Sequence, residues 1–261
     1  GPELGSFSEV GSGTIHFNYS IRGDKATASL FGDVFQGVFL DQERLFIGGN
    51  NSLLGPVKAD FGTMTAAGAR IKGKLPKGLN YGHSLPKGKV DYDARIFSGV
   101  SGIVKNQVNV LAELTALANW YKQVRINCAA QAPEQKFLYE SGLRMIELNY
   151  QERLHQLNRY VDFLENSVRL LESMQASKKQ ISEQKDLLSR WPKLDSEFKN
   201  LEKHEIQIPE SLKDEFDNLQ SQGQSDYTGL IKNLSQSGKQ TGKTWLSEIS
   251  GIVRNVYKAG M

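Results

Sequence analysis

The stretch YQERLHQLNRYVDFLENSVRLL, residues 150–171, decides how most of this chain folds. Its large apolar residues Tyr150, Leu154, Leu157, Val161, Leu164, Val168 and Leu171 recur at spacings of 4, 3, 4, 3, 4 and 3. An α-helix turns once every 3.6 residues, so this alternation places all of them on one stripe, the pattern of a coiled-coil seam or a bundle core helix. Such a stripe requires an apolar counterpart, supplied by sibling helices or by another molecule. On this basis Leu154, Leu157, Val161, Leu164, Val168 and Leu171 are the expected partner-binding residues. An unbroken helix from Glu134 to Arg190 would be roughly 85 Å long. One rod, or two helices separated by a bend among the small and polar residues Ser173 to Lys179, both satisfy the pattern.

Helical patterning extends to either side of the seam. Upstream, Val104, Val108, Leu111, Leu114, Leu117, Tyr121 and Val124 recur mostly every third or fourth residue, and Pro133 restarts the chain. Downstream, shorter stripes follow Trp191-Pro192. These are Leu194, Phe198 and Leu201, then Leu212, Phe216 and Leu219 after Pro209, then Tyr227, Leu230, Ile231 and Leu234 before Gly238. A last helix is expected over Thr244 to Lys258, with Trp245, Ile249, Ile252, Val253 and Val256 on one side.

The composition changes near residue 96. Of the 25 glycines, 18 lie in residues 1–104 and 7 in the remaining 157, and glycine is depleted from helix interiors because it loses the most backbone entropy there. The front part reads as strands. Ile15, Phe17, Tyr19 and Ile21 alternate with polar residues, Arg22-Gly23-Asp24 supplies a hairpin turn, and Ala26, Ala28 and Leu30 alternate on the return. Further strands are expected over Val34 to Leu40, Arg44 to Gly48, Val57 to Met64, Ala69 to Leu75 and Lys89 to Phe97. Short connections favour an antiparallel β meander, a small barrel or sandwich. No internal repeat of 20 to 50 residues is visible. The expected fold class is α+β. Residues 1–6 read as the scar of an expression tag, 7–96 as an antiparallel β domain and 97–261 as an α-helical bundle domain with a long coiled-coil-like helix.

Composition narrows the chemistry. The 261 residues carry a formal charge of +3, with 39% hydrophobic and 23% charged residues. No apolar run approaches the ~18 residues of a membrane-spanning helix. One cysteine, Cys128, excludes an intramolecular disulfide framework, and four scattered histidines leave little for a metal. No metal and no other cofactor is expected. A single cysteine suits a periplasmic or secreted chain that avoids stray thiols, the localisation favoured here, and suits a cytosolic one as well. A signal peptide or lipid anchor upstream of Phe7 is left open.

Several local signals have a functional reading beside a plainer one. Arg22, Gly23 and Asp24 at a hairpin tip would suit an adhesive ligand, although glycine and aspartate are ordinary turn residues. Residues 70–95 hold seven lysines and arginines against Asp91 and Asp93, with Leu-Pro-Lys-Gly occurring at Leu75 to Gly78 and again at Leu85 to Gly88. Lys72, Lys74, Lys77, Lys87 and Lys89, with Trp245 of the basic last helix, are the candidates for binding an anion or an anionic membrane surface. The plainer reading is a solvated loop with edge-strand lysines. Nucleic-acid binding would need a larger basic footprint. Gly238 to Thr244 imitates a phosphate-binding loop, but Ser237 stands where the fingerprint needs glycine, and a flexible linker is the plainer reading. No nucleophile, base and orienting acid come together, His155 falls beside the seam, and Cys128 reads as a small packed side chain.

The expected function is therefore non-catalytic: an accessory or structural subunit of a larger, cell-envelope or secretion-type assembly, binding protein partners or itself through helices and using the β module for a second partner. The alternatives are a membrane-active protein inserting Phe97 to Val104 or the last helix, and an adhesin using Arg22, Gly23 and Asp24.

Overall fold

The computed structural model describes residues 27–83, 93, 95–129, 132–202, 204–224 and 226–259. Six short strands form the front part: β1 (Leu30–Phe31), β2 (Phe46–Ile47), β3 (Ser52–Ala59), β4 (Thr63–Thr65), β5 (Arg70–Leu75) and β6 (Gly78–Asn80). They make two three-stranded sheets, β1-β3-β5 and β2-β4-β6, and every pairing is parallel. The expected antiparallel meander is thus corrected to a parallel solenoid. Parallel neighbours need a crossover of a dozen or so residues. Here each crossover contains a strand of the other sheet, so β3 leads through β4 to β5, and β4 through β5 to β6.

The inside of the solenoid follows the two-residue period. Val57, Ala59, Ile71 and Leu75 point inward from one sheet and Thr63 and Thr65 from the other, all buried. Corners are tight. At Gly48 a Cβ would stand 2.6 Å from the Thr65 carbonyl oxygen, so a larger residue would displace the neighbouring coil.

Other strand expectations fare differently. Val34 to Leu40 is not a strand: its first four residues form α1 (Val34–Gly37). Asp33 caps it, accepting the Gln36 backbone N–H at 2.9 Å, and Val34/Val38 and Phe35/Phe39 are i, i+4 pairs on one side. Residues 95–97 are not strand either. The hairpin strand Ile15 to Ile21, its Arg22-Gly23-Asp24 turn and Lys89 to Tyr92 lie outside the described residues.

The helices are α2 (Val100–Trp120), a π-helical segment (Tyr121–Ala129), α3 (Pro133–Ser173), α4 (Lys178–Glu202), α5 (Glu210–Ser221), α6 (Tyr227–Asn233) and α7 (Gln236–Ala259). The seam folds back on itself. α3 ends at Ser173, Gln175 takes a positive φ of 51°, and α4 returns along it. Seam residues Tyr150, Leu154, Leu157, Val161 and Leu164 pack with Leu187, Trp191, Leu194 and Phe198 of α4 and with Val104, Val108 and Leu111 of α2. Pro192 does not stop α4. A proline inside a helix costs about 3 kcal/mol, and the burial of Trp191, Leu194, Phe198 and Leu201 on either side of it offsets that cost.

A second core gathers Val34, Val38 and Phe39 of the α1 turn with Trp120, Leu212, Phe216, Leu230, Ile231, Trp245 and Leu246. Phe97 joins the two parts of the chain. Its N–H donates to Ser167 Oγ at 3.0 Å, and its carbonyl accepts the Gln180 and Gln184 amides, each at 2.9 Å.

α7 starts at Gln236, earlier than expected, because Gly238 and Gly242 are helical contact points and not a linker. A Cβ on Gly242 would meet Phe39 Cζ at 2.3 Å and Leu212 Cδ2 at 3.1 Å, whereas one on Gly251 would have nothing within 4 Å. Gly242→Ala is therefore expected to destabilise the protein by about 1–3 kcal/mol, and Gly251→Ala to stabilise it by about 0.5–1 kcal/mol. Thermal unfolding of the two variants checks this: opposite shifts of the midpoint support the packing, and equal shifts contradict it.

Candidate functional site

The solenoid has two outer faces of different chemistry. On β2-β4-β6 the parallel register sets Phe46 beside Met64 and Met64 beside Leu79. All three point outward and are 61, 45 and 52% exposed. Adjacent strands lie about 4.8 Å apart, so the three side chains make one apolar strip roughly 10 Å wide. Tyr81 follows, also exposed. Thr63 and Thr65, pointing the other way from β4, hold the strip from beneath. Thr63 Oγ1 donates to the Pro76 carbonyl at 3.1 Å, and Thr65 Oγ1 accepts from the Gly48 N–H at 3.0 Å.

On β1-β3-β5 the same geometry pairs Lys58 with Lys74, and Lys72 stands two residues along β5. Like charges side by side repel, and Asp60 moderates this by meeting Lys74 at 3.4 Å. Where this face meets α2 there is a cleft of about 220 Å³ whose polar lining is Lys58, Lys74, Asn106 and Asn109.

Beneath that junction lies a buried ionic connection. Glu113 of α2 accepts the Val34 N–H at 2.9 Å and pairs with Arg254 of α7 at 2.8 Å, while Arg254 Nε donates to Asn109 Oδ1 at 3.2 Å. Burial pushes the Glu113 carboxyl above the usual carboxylate range, the Val34 N–H and Arg254 oppose this, and Asp33 adds to it. A carboxyl so raised binds its proton more readily in the folded protein. That contribution to stability is full below the unfolded carboxyl range and is lost as pH rises through the raised value.

The residues expected to form sites are dispersed. All six seam residues are buried, and Leu154, Leu157, Val161 and Leu164 are spent on the core shared with the chain's own α2 and α4. Lys72 is exposed beside Lys74, and Lys77 is paired with Glu43. Trp245 is 4% exposed and packs in the second core. Phe97, Val100 and Val104 of the expected insertion segment are buried too. Arg22, Gly23, Asp24, Lys87 and Lys89 lie outside the described residues.

In the phosphate-loop mimic, Lys243 is held by Asp41 at 2.9 Å. The Cys128 thiol donates to the Gln123 carbonyl, and burial, with Asp217 adding to it, pushes its pKa up to about 11. At neutral pH it is a thiol. The apolar strip is not apparent from sequence. Its signal is the spacing of Phe46, Met64 and Leu79, 18 and 15 residues, which is the length of a coil and shorter than the repeats sought.

No protein-family model matches the chain, and no solved structure matches it either. The bifunctional protein GlmU, an enzyme, does match over part of its length. In Pseudomonas paraeruginosa PA7 and in Pseudomonas aeruginosa strains LESB58 and UCBPP-PA14 it is 38% identical over 86 residues, 33% of this chain. The chain spans 16% of the length of these curated relatives. A third of the chain is thus similar to a piece of an enzyme. Nothing in the fold or in these matches supports a cell-envelope setting, and that expectation is set aside.

Arg254→Met leaves Glu113 buried without its cation. Allowing for the partial exposure of Arg254, the expected loss is about 2–3 kcal/mol near pH 8. It should shrink as the pH is lowered from about 8 to about 5, because a carboxyl raised by burial takes up its proton more readily and then needs no cation. Urea unfolding at both pH values checks the sign, and a deficit independent of pH contradicts it.

Proposed function

We propose that this chain is a non-catalytic interaction protein which displays a short β-solenoid on a self-contained helical bundle, and that the outer face of β2-β4-β6 is where a partner protein docks. The observation that carries this reading is the register of Phe46, Met64 and Leu79. Scattered exposed apolar residues are normal on any surface, but three in contact on the flat face of a sheet make a patch that water penalises until something covers it. The bundle behind it supports the role. With its long seam already satisfied, it can hold the solenoid rigidly without help from a partner. An occupant with its own apolar strip, inserted side chain by side chain across the three strands, would fit this face.

The test places a photo-crosslinking residue at Met64 in the chain expressed in its source organism. The expected result is a discrete conjugate with one protein, lost in Phe46→Asp and Leu79→Asp variants whose thermal midpoints stay within a few degrees of the parent. No conjugate in cells, or binding to anionic vesicles that needs the same three residues, would contradict the reading.

The match to GlmU favours a second reading, in which the chain has a ligand-binding or catalytic role. The cleft with Lys58, Asn106 and Asn109 is the place to look. A small molecule that raises the melting midpoint of the parent, but not of Lys58→Ala or Asn106→Ala, would support it.

A further inference from the structure

The first turns of α3 carry a second bare apolar surface, far along the chain from the solenoid strip. Phe137, Leu138, Met145 and Leu148 are 72, 64, 57 and 47% exposed. At 3.6 residues per turn they occupy one sector of the helix about 100° wide. Tyr139, Ile146 and Tyr150, all buried, lie on the opposite side. That inner side is firmly held: the Arg125 guanidinium sits 5.2 Å from the centre of the Tyr139 ring, and Tyr150 donates to the Phe198 carbonyl at 2.8 Å. Rotation of the helix cannot hide the outer four.

The edges of this sector identify what covers it. Glu140 and Arg144 lie one turn apart on one edge, both exposed, and neither is in an ion pair among the described residues. The other edge, Gln135, Gly142 and Asn149, has no charge. When two identical helices pair antiparallel, like edges face each other, so Glu140 of each copy meets Arg144 of the other. The same two-fold operation, centred near Ser141 and Gly142, lays Phe137 and Leu138 of one copy against Met145 and Leu148 of the other. A parallel pairing would set the charged edge against the uncharged one.

We propose that two copies of this chain associate through the N-terminal half of α3, antiparallel about a two-fold axis near Ser141 and Gly142. The contact is independent of the solenoid strip and of whatever docks there. Four large side chains per copy bury on the order of 1,000 Å² in total, the small end of specific interfaces, so the dimer dissociates in the micromolar range.

Sedimentation equilibrium of the full chain, from about 1 to about 100 µM, is the test. A monomer–dimer equilibrium is expected. Arg144→Glu and Glu140→Arg should each weaken it by roughly tenfold. The double variant E140R/R144E should restore it, and an equimolar mixture of the two single variants should associate where neither does alone. A Ser141→Cys variant, whose new thiol lies beside the axis, should form a disulfide-linked dimer. Leu148→Cys, roughly 18–20 Å from its counterpart in this register, should not. These cysteine variants give a second reading should a charge reversal disturb folding, and Cys128 is buried and does not compete. A monomer throughout the range, a dimer indifferent to both reversals, ready crosslinking at Leu148→Cys, or a dimer lost in Met64→Asp but kept in Met145→Asp would each overturn the proposal.

Discussion

α2 is buried on almost every side, and its polar groups must find partners inside the protein. Apolar burial holds helices together without direction, whereas a buried carboxylate or amide is satisfied only in one arrangement. Glu113 is met by the Val34 N–H and by Arg254. Asn119 donates to the Thr115 and His204 carbonyls at 3.0 and 3.3 Å and accepts the Ile206 N–H at 2.8 Å. The Ala112 carbonyl accepts Ser250 Oγ at 3.3 Å. α1, the loop after α4, and α7 are each latched to α2 in this way. An ordinary hydrogen bond contributes about 1 kcal/mol net, but a buried charge stripped of its partner costs several times that. These latches, more than the larger apolar area, select the arrangement. Because α1 sits inside the first coil of the solenoid yet belongs to the helical core, they also fix how the solenoid is presented.

How much can be read from the chain alone differs between its two parts for physical reasons. The period of 3.5 over residues 150–171 reports a helix and its buried side whatever covers it, so the seam is legible while its occupant is not. Ser173 to Lys179 marks the place where the chain can turn, and the turn at 174–177 supplies the counterpart from within. Strand alternation reports which face is buried but is the same for parallel and antiparallel pairing. Direction depends on where the chain goes after each strand, and that information lies in coils of 15 to 28 residues. α1 is masked in the sequence because the β-branched and aromatic residues after Asp33 outweigh the signal of Asp33 as a cap. Gly238 and Gly242 resemble a linker because their close neighbours, Glu215 for the first and the ring of Phe39, some two hundred residues earlier, for the second, cannot be seen from a local window. The lysines at 72 and 74 are legible as a basic cluster; the Phe46, Met64 and Leu79 strip is not, since only the stacking of coils brings those residues together.

The functional reading follows from the contrast between apolar surface the chain covers itself and apolar surface it leaves bare. The seam, Trp245 and the Phe97 to Val104 segment belong to the first kind, which removes them as places for a partner or a bilayer. The solenoid strip and the outer side of early α3 belong to the second. They face outward from elements locked in place by Thr63, Thr65, Tyr139 and Tyr150, so neither can be withdrawn by a small adjustment of the fold.

Hydrogen exchange of the backbone amides of residues 154–171, compared between about 0.1 and about 50 µM protein, bears most directly on whether the seam is satisfied within one chain. With α2 and α4 of the same molecule as its cover, protection in that stretch should be the same at both concentrations. Rapid exchange on dilution, with protection regained only at the higher concentration, would mean that another molecule supplies the counterpart, and the internal bundle would not be the structure the protein adopts alone.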